Sequence, residues 1–177
     1  METLKEMSQN GILKRIPLVT FIGKSDSGKT TLLEKLVREL SQRGYRLATV
    51  KHHSHTGFDI DKPGKDSWRF AQAGSRQVVI ASPDKFATYR QLEQELTLDQ
   101  VAAEIKDVDL ILVEGYKKSN RPSIEVVRAA NSQELISSPE QLIAVASDRI
   151  LEVRVPQFRL DDIEGIADFI VRKFLAN

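Results

Sequence analysis

The chain has 177 residues, a formal net charge of +1, a hydrophobic fraction of 41% and no cysteine. The length predicts one domain with a buried core, and the near-neutral charge gives no support for binding nucleic acid or an anionic membrane. The lack of cysteine excludes disulfides, thiolate catalysis and cysteine-based zinc sites, and no apolar run approaches the roughly 20 residues of a membrane span. We therefore expect a cytoplasmic protein.

Residues 1–16 form a polar extension without the apolar segment of a secretory signal. After this extension, apolar runs typical of strands alternate with stretches in which apolar residues recur with the period of a helix. The predicted elements are a strand over 17–22, a helix over 28–42, a strand over 46–51, a helix over 66–73, a strand over 77–81, a helix over 98–105, strands over 110–113, 123–127, 141–146 and 153–155, and a helix over 161–175. This order predicts an α/β fold, with a mainly parallel sheet flanked by helices on both faces.

A phosphate-binding motif lies between the first strand and the first helix. Residues 23–30, Gly-Lys-Ser-Asp-Ser-Gly-Lys-Thr, match the G-x-x-x-x-G-K-[ST] pattern in full. The loop N–H groups are expected to cradle phosphates, with Lys29 reaching the β- and γ-phosphates and Thr30 a Mg²⁺ ion. The predicted nucleotide contacts are Gly23, Lys24, Ser25, Asp26, Ser27, Gly28, Lys29, Thr30 and Thr31. We expect 17–177 to form one P-loop nucleotide-binding domain.

Acidic residues follow two of the predicted strands. Glu114 ends the most apolar run of the chain, where a carboxylate in a P-loop protein lies beside the phosphates and holds Mg²⁺ or orients a water. Asp59 and Asp61 come after the second strand, and loops at the carboxyl ends of parallel strands gather around the ligand. Thr30, Asp59, Asp61 and Glu114 are therefore candidate metal ligands, and Glu114 is the candidate catalytic residue. Solvated surface acids are the alternative.

All three histidines, His52, His53 and His55, fall in one short segment after Lys51. A metal cluster is one interpretation, although neighbours on an extended segment point in opposite directions. Binding of an anionic group together with Lys51, and a solvated loop, are the others. The candidate second-ligand loop comprises Lys51, His52, His53, His55, Lys62 and Lys65. Further basic residues follow the same strand ends and form a candidate rim for a second ligand: Lys62, Lys65, Lys117, Lys118, Arg121 and Arg128.

Three segments besides the P-loop are distinctive: 51–55 (Lys-His-His-Ser-His), 58–67 (Phe-Asp-Ile-Asp-Lys-Pro-Gly-Lys-Asp-Ser) and 113–117 (Val-Glu-Gly-Tyr-Lys). Together they resemble the MobB family, the molybdopterin-guanine dinucleotide biosynthesis adapter proteins, over 17–148. The resemblance implies a SIMIBI-type P-loop fold, bound GTP and Mg²⁺, a homodimer and at most weak GTPase activity. It also implies a MobA-type guanylyltransferase as partner, with molybdopterin or its guanine dinucleotide as second ligand.

The resemblance implies roles for two further residues, Asp148 and Lys24. Asp148 lies where related GTPases place the aspartate that binds the guanine base, although the usual Asn-Lys-x-Asp motif is absent. Lys24 holds the P-loop position at which some dimeric SIMIBI proteins carry a lysine that acts on the neighbouring subunit. Two other classes of protein share the P-loop. One is a small-molecule kinase, which needs an arginine-rich lid that the sequence does not display. The other is a metallochaperone-like GTPase, which only the histidine segment supports.

Overall fold

The computed structural model describes residues 15–53, 57–131 and 134–176. Contacts divide the chain into two compact units. The sheet unit comprises Met1–His52 with Leu98–Asn177, and the hairpin unit comprises His53–Thr97. Of the predicted sites, His55 and most of the N-terminal extension lie outside the described residues.

Within the described residues, the sheet unit contains six strands and three α-helices. In chain order they are β1 (Leu18–Ile22), α1 (Lys29–Gln42), β2 (Leu47–Lys51), and, after the hairpin unit, α3 (Leu98–Ala103), β5 (Leu110–Glu114), β6 (Ser123–Val127), β7 (Leu142–Ser147), β8 (Gln157–Arg159) and α4 (Ile163–Ile170), which one π-helical turn (Val171–Leu175) continues. The strands form one parallel sheet in the order β2-β5-β1-β6-β7-β8. The predicted parallel α/β fold is confirmed.

The central strands β5, β1 and β6 are buried on both faces because helices cover each side. Leu110 and Leu112 point into the larger core, together with the apolar stripes of α1 and α4. Ile111 and Val113 alternate to the other face, where Leu98 of α3 packs on them. This double cover explains why β5 is apolar at four consecutive positions and is polar only at its last residue, Glu114.

The hairpin unit contains α2 (Asp66–Gln72) and the antiparallel strands β3 (Gln77–Ala81) and β4 (Phe86–Arg90). The strand predicted over 77–81 is confirmed, but it pairs with β4 and lies outside the parallel sheet. Strand β4 is not among the sequence-based predictions. The sequence feature that indicates this hairpin is a turn between two runs of strand-forming residues. In the structure the Ser82 N–H closes the turn by donating to the Lys85 carbonyl at 2.8 Å.

One predicted strand is misplaced. Residues 153–155 form no strand, and the last strand of the sheet is β8, after Pro156. The Pro156 carbonyl accepts the Val145 N–H at 3.0 Å, so pairing with β7 begins at this proline and continues beyond it. Among the described helices, none has the length and apolar character to cross a membrane.

Candidate functional site: a phosphate loop beside a polar cavity

The loop between β1 and α1 is held close to the end of β6. A methyl group on Gly23 would lie 2.3 Å from the Val126 carbonyl oxygen, so only glycine fits at this position. Asp26 and Gly28 have left-handed φ angles of 58° and 90°. Such alternation turns successive N–H groups to one side, which is the geometry that binds anions. Ser27 is buried, whereas Lys24, Ser25 and Asp26 are exposed at the tip.

The N-terminus of α1 carries no competing acceptor. Gly28 is its N-cap and makes no side-chain capping bond, and the first turn contains no acidic residue. Helix N-termini are normally capped by a side-chain oxygen, because their first N–H groups lack partners within the helix. In α1 the first N–H groups and the positive end of the helix dipole therefore point toward the phosphate loop, where an anion can bind.

Lys29 lies across the loop. Its Nζ donates to the Lys24 carbonyl at 2.6 Å and to Ser27 Oγ at 3.4 Å. Partial burial lowers the pKa of Lys29 most, and the positive charges of Lys117 and Lys51 lower it further, against the raising effect of Glu114 and Asp26. An ammonium held in this way at the mouth of an N–H-lined loop is suited to a multiply charged anion.

Glu114 lies where the ends of the neighbouring strands β1, β2 and β5 adjoin. Its Oε2 accepts from Thr30 Oγ1 at 2.9 Å, and its Oε1 lies 3.6 Å from Lys51 Nζ. The side chain is only 15% exposed. The structure therefore brings together the predicted catalytic carboxylate, the predicted Mg²⁺-binding hydroxyl and one lysine of the predicted second-ligand loop.

The strand ends are fixed by close backbone contacts. The His52 N–H donates to the Glu114 carbonyl at 2.9 Å, and the Gly115 N–H donates to the Phe21 carbonyl at 3.0 Å. A methyl group on Gly115, whose φ is 97°, would lie 2.9 Å from Cβ of His52, so glycine is required there. The Tyr116 ring then packs on His52, with ring centroids 4.3 Å apart. These contacts hold Glu114 next to the phosphate loop.

The two described histidines do not share an environment. His52 packs on Tyr116 in the sheet unit, whereas the His53 ring lies 5.6 Å from that of Phe58 in the hairpin unit. Within the described ranges, no three histidine, aspartate or glutamate side chains form a group suited to a metal ion. The histidine metal cluster therefore finds no support in this part of the chain.

Four of the predicted residues, Asp59, Asp61, Lys62 and Lys65, lie in the hairpin unit. Asp61 accepts from Tyr89 Oη at 3.0 Å and from the Lys62 N–H at 2.8 Å. Hydrogen bonds from Ser67 above all, and then from Lys62 and Tyr89, lower the pKa of Asp61. Asp61 thus orders the 61–67 segment against β4. Asp59, Lys62 and Lys65 are exposed, and a metal-binding role for the two aspartates stays a prediction.

A cavity of about 640 Å³ opens beside the phosphate loop, entirely within the sheet unit. Its walls come from the loop and α1, from the ends of β6 and β7, and from the β8 region. The lining residues are Ser27, Gly28, Thr31, Leu32, Lys35, Arg128, Ser147, Asp148, Arg149, Ile150, Gln157, Phe158, Arg159, Leu160 and Asp161. The volume falls within the range of small-molecule sites, and its position next to the loop suits the rest of a nucleotide.

Asp148 is oriented at this cavity by the backbone. Its Oδ1 accepts the Ala129 N–H at 2.8 Å. The same 128–131 segment reaches the phosphate loop, because Asn131 Nδ2 donates to the Ser25 carbonyl at 3.3 Å. One loop therefore ties the predicted base-binding aspartate to the tip of the phosphate loop. Sequence reasoning missed Asn131 and the β8 wall because neither carries a motif.

Comparison with known proteins gives one consistent result. The family model described as "Molybdopterin guanine dinucleotide synthesis protein B", MobB, matches residues 18–148. This range contains the phosphate loop, Glu114 and Asp148.

Two relatives and one solved structure are similar over nearly their full length. The molybdopterin-guanine dinucleotide biosynthesis adapter protein of Haemophilus influenzae is 40% identical and that of Escherichia coli strain K12 is 41% identical, each over 88% of this chain and over 88% and 92% of the relative. A crystal structure of molybdopterin-guanine biosynthesis protein B matches with a TM-score of 0.68 and 33% identity, over 88% of this chain and 99% of that one.

Proposed function

The chain belongs to the MobB family, and we propose that it is a GTP-binding adapter that assists the guanylylation of molybdopterin in molybdenum cofactor biosynthesis. One observation carries the nucleotide part of this proposal. A phosphate loop with an uncapped helix N-terminus opens into a cavity that the Asp148 carboxylate lines. A nucleoside triphosphate fits this arrangement, with phosphates on the loop and the base toward Asp148.

Asp148 supports guanine as the base. A carboxylate accepts hydrogen bonds from the N1 and N2 groups of guanine, whereas adenine offers only its N6 amino group as a donor on that edge. Because Oδ1 is already bound by the Ala129 N–H, the carboxylate is held in one orientation. We therefore propose GTP as the ligand in preference to ATP.

Mg²⁺ is the proposed companion ion. The Thr30 hydroxyl and the Glu114 carboxylate are oxygen donors in contact with each other beside the loop, as a hard cation requires. When bound, the ion would neutralise phosphate charge. We propose that Glu114 also orients a water and that any GTP hydrolysis is slow, because the family resemblance implies an adapter.

The names of the relatives, which are adapters in molybdopterin-guanine dinucleotide biosynthesis, support a partner in that pathway. We propose a MobA-type guanylyltransferase as the protein partner and molybdopterin or its guanine dinucleotide as the second ligand. Lys51 and the exposed Lys117 and Lys118 follow the strand ends near Glu114 and form a basic surface for such an anionic ligand. A trans role for Lys24 and a cytoplasmic location stay predictions.

Nucleotide affinity tests the proposal directly. We expect GTP with Mg²⁺ to bind more tightly than ATP, and Lys29→Ala to weaken GTP binding at least about tenfold, because a charge-assisted contact is lost. Asp148→Ala should reduce the preference for GTP over ATP. Arg172→Gln, an exposed change in the last turn of the chain, serves as control. Equal binding of ATP and GTP by the unaltered protein would contradict the guanine assignment.

The adapter role needs a separate assay. Adding the chain to a purified guanylyltransferase with GTP and molybdopterin should raise the yield of guanine dinucleotide, and the Lys29→Ala chain should not. Phosphoryl transfer to a small acceptor at turnover rates would instead favour the kinase.

A further inference from the structure

Arg128 lies directly over the start of α1. A methyl group on Gly28 would be 3.4 Å from Arg128 Nη2 and 3.5 Å from its Nε, so the guanidinium packs on the Gly28 backbone. The same side chain lines the cavity together with Ser27 and Thr31. Arg128 thus occupies the junction at which the phosphate loop passes into the cavity.

This position is electrostatically unfavourable for a cation alone. Gly28 is the N-cap of a 14-residue helix, where the dipole places positive charge, and the Lys29 ammonium belongs to the next residue. None of the described acidic side chains forms an ion pair with Arg128. A guanidinium that meets a helix N-terminus without a carboxylate between them is suited to share a bound anion with that helix.

The backbone holds Arg128 in this place. The Asn131 N–H donates to the Arg128 carbonyl at 2.9 Å, which closes a turn, and the Ala129 N–H is bound to Asp148. The Asn131 side chain bonds the Ser25 carbonyl. Both ends of the 128–131 segment are therefore attached to the site, so the backbone that carries the Arg128 side chain is anchored.

We propose that Arg128 binds the α-phosphate of the nucleotide. This inference rests on the proposed nucleotide function and deepens it. The loop holds the β- and γ-phosphates, and the sugar and base need the cavity, so the α-phosphate crosses the junction that Arg128 covers. The planar guanidinium offers paired N–H donors that match phosphate oxygens, which a lysine at this position does not.

Nucleotide titrations of Arg128→Gln test the assignment, with Arg128→Lys as second variant and Arg172→Gln as the charge-matched control. GTP, GDP and GMP share the α-phosphate, whereas GMP lacks the β-phosphate, so we expect Arg128→Gln to weaken all three by the same factor, about tenfold to a hundredfold. Arg128→Lys should recover part of the loss, and the control should bind as the unaltered protein does. The melting temperature without nucleotide should stay unchanged.

Each other outcome overturns the assignment in a recognisable way. A loss for GTP alone would place Arg128 at the γ-phosphate, and a change in the GTP-to-ATP ratio would place it at the base. Unaltered GTP and GDP affinities in Arg128→Gln would show that the guanidinium does not contact the nucleotide, and the proposed function would survive. Absence of GTP binding to the unaltered protein, with Lys29→Ala giving the same result, would instead refute both.

Discussion

At the scale of single residues, the phosphate loop depends on side chains that combine partial burial with charge. Glu114 is shared between the Thr30 hydroxyl and the Lys51 ammonium, and Lys29 is held by the Lys24 carbonyl. Each contact joins groups that a bound triphosphate would rearrange, because phosphate oxygens compete for the same donors. The charge state of Lys29 should therefore affect binding.

The lowered pKa of Lys29 makes binding sensitive to alkaline pH. Burial favours the neutral amine, so in the free protein Lys29 loses its proton at a lower pH than an exposed lysine does. Phosphates bind the ammonium form, so GTP affinity should fall as the pH rises into that range. Lys29→Arg is the control, because a guanidinium does not titrate there.

The measured quantity is the difference between the two pH profiles, since guanine itself loses a proton in alkaline solution. The fall in GTP affinity should be steeper for the unaltered protein than for the Lys29→Arg variant. Parallel profiles for the two proteins would show that Lys29 does not titrate in this range.

At the scale of elements, a buried carboxylate joins strand β6 to the loop that follows it. Glu125 is 1% exposed, and it accepts the Ile136 N–H at 2.8 Å, the Ser137 N–H at 2.9 Å and the Ser137 hydroxyl. A buried charge is tolerated only when such donors replace water. Glu125 therefore orders the 134–138 segment against the sheet, beside strand β6, which ends one residue before Arg128.

Glu125→Ala should lower the free energy of unfolding by about 3 kcal/mol, because three donors on Ile136 and Ser137 lose their buried acceptor. Glu125→Gln should have a smaller effect, since the amide retains one acceptor. Urea unfolding followed by circular dichroism measures both. Glu152→Ala, an exposed glutamate, is the control and should change stability little. A destabilisation no larger than the control's would mean that the 134–138 segment does not need the carboxylate.

At the scale of the whole molecule, the hairpin unit exposes many apolar side chains. Seven large ones are 48–71% exposed: Phe58, Ile60, Phe70, Val79, Ile80, Phe86 and Leu92. Its two strands pair only with each other among the described residues. A two-stranded sheet with uncovered apolar residues is rarely stable alone in water, and such patches mark interaction surfaces. Because the resemblance to the MobB family implies a homodimer, we propose that a second copy of the chain covers this surface.

Phe86→Asp with Val79→Lys should therefore shift the protein from dimer to monomer in sedimentation or light-scattering measurements, because charges would be buried in the contact. Ile150→Asp is the matched control, since Ile150 is 94% exposed and belongs to the sheet unit. A dimer that survives the double change, or a monomeric unaltered protein, would contradict the proposed dimer surface.

Local sequence patterns were sufficient to place most of the elements and the phosphate loop. Strand β1, its turn and helix α1 depend on neighbouring residues: an apolar run, two glycines and a helical stripe of leucines. Backbone sterics and side-chain periodicity act over a few residues, so these features can be read without knowledge of the rest of the chain.

The meeting of distant residues could be seen only in the folded chain. Asn131 reaches Ser25 across 106 residues, Arg128 packs on Gly28, and β3 joins β4 rather than the parallel sheet. These contacts depend on the order of the strands and on which loops share an edge of the sheet. Many chain paths connect the same elements, and the burial and pairing of the whole chain select one of them.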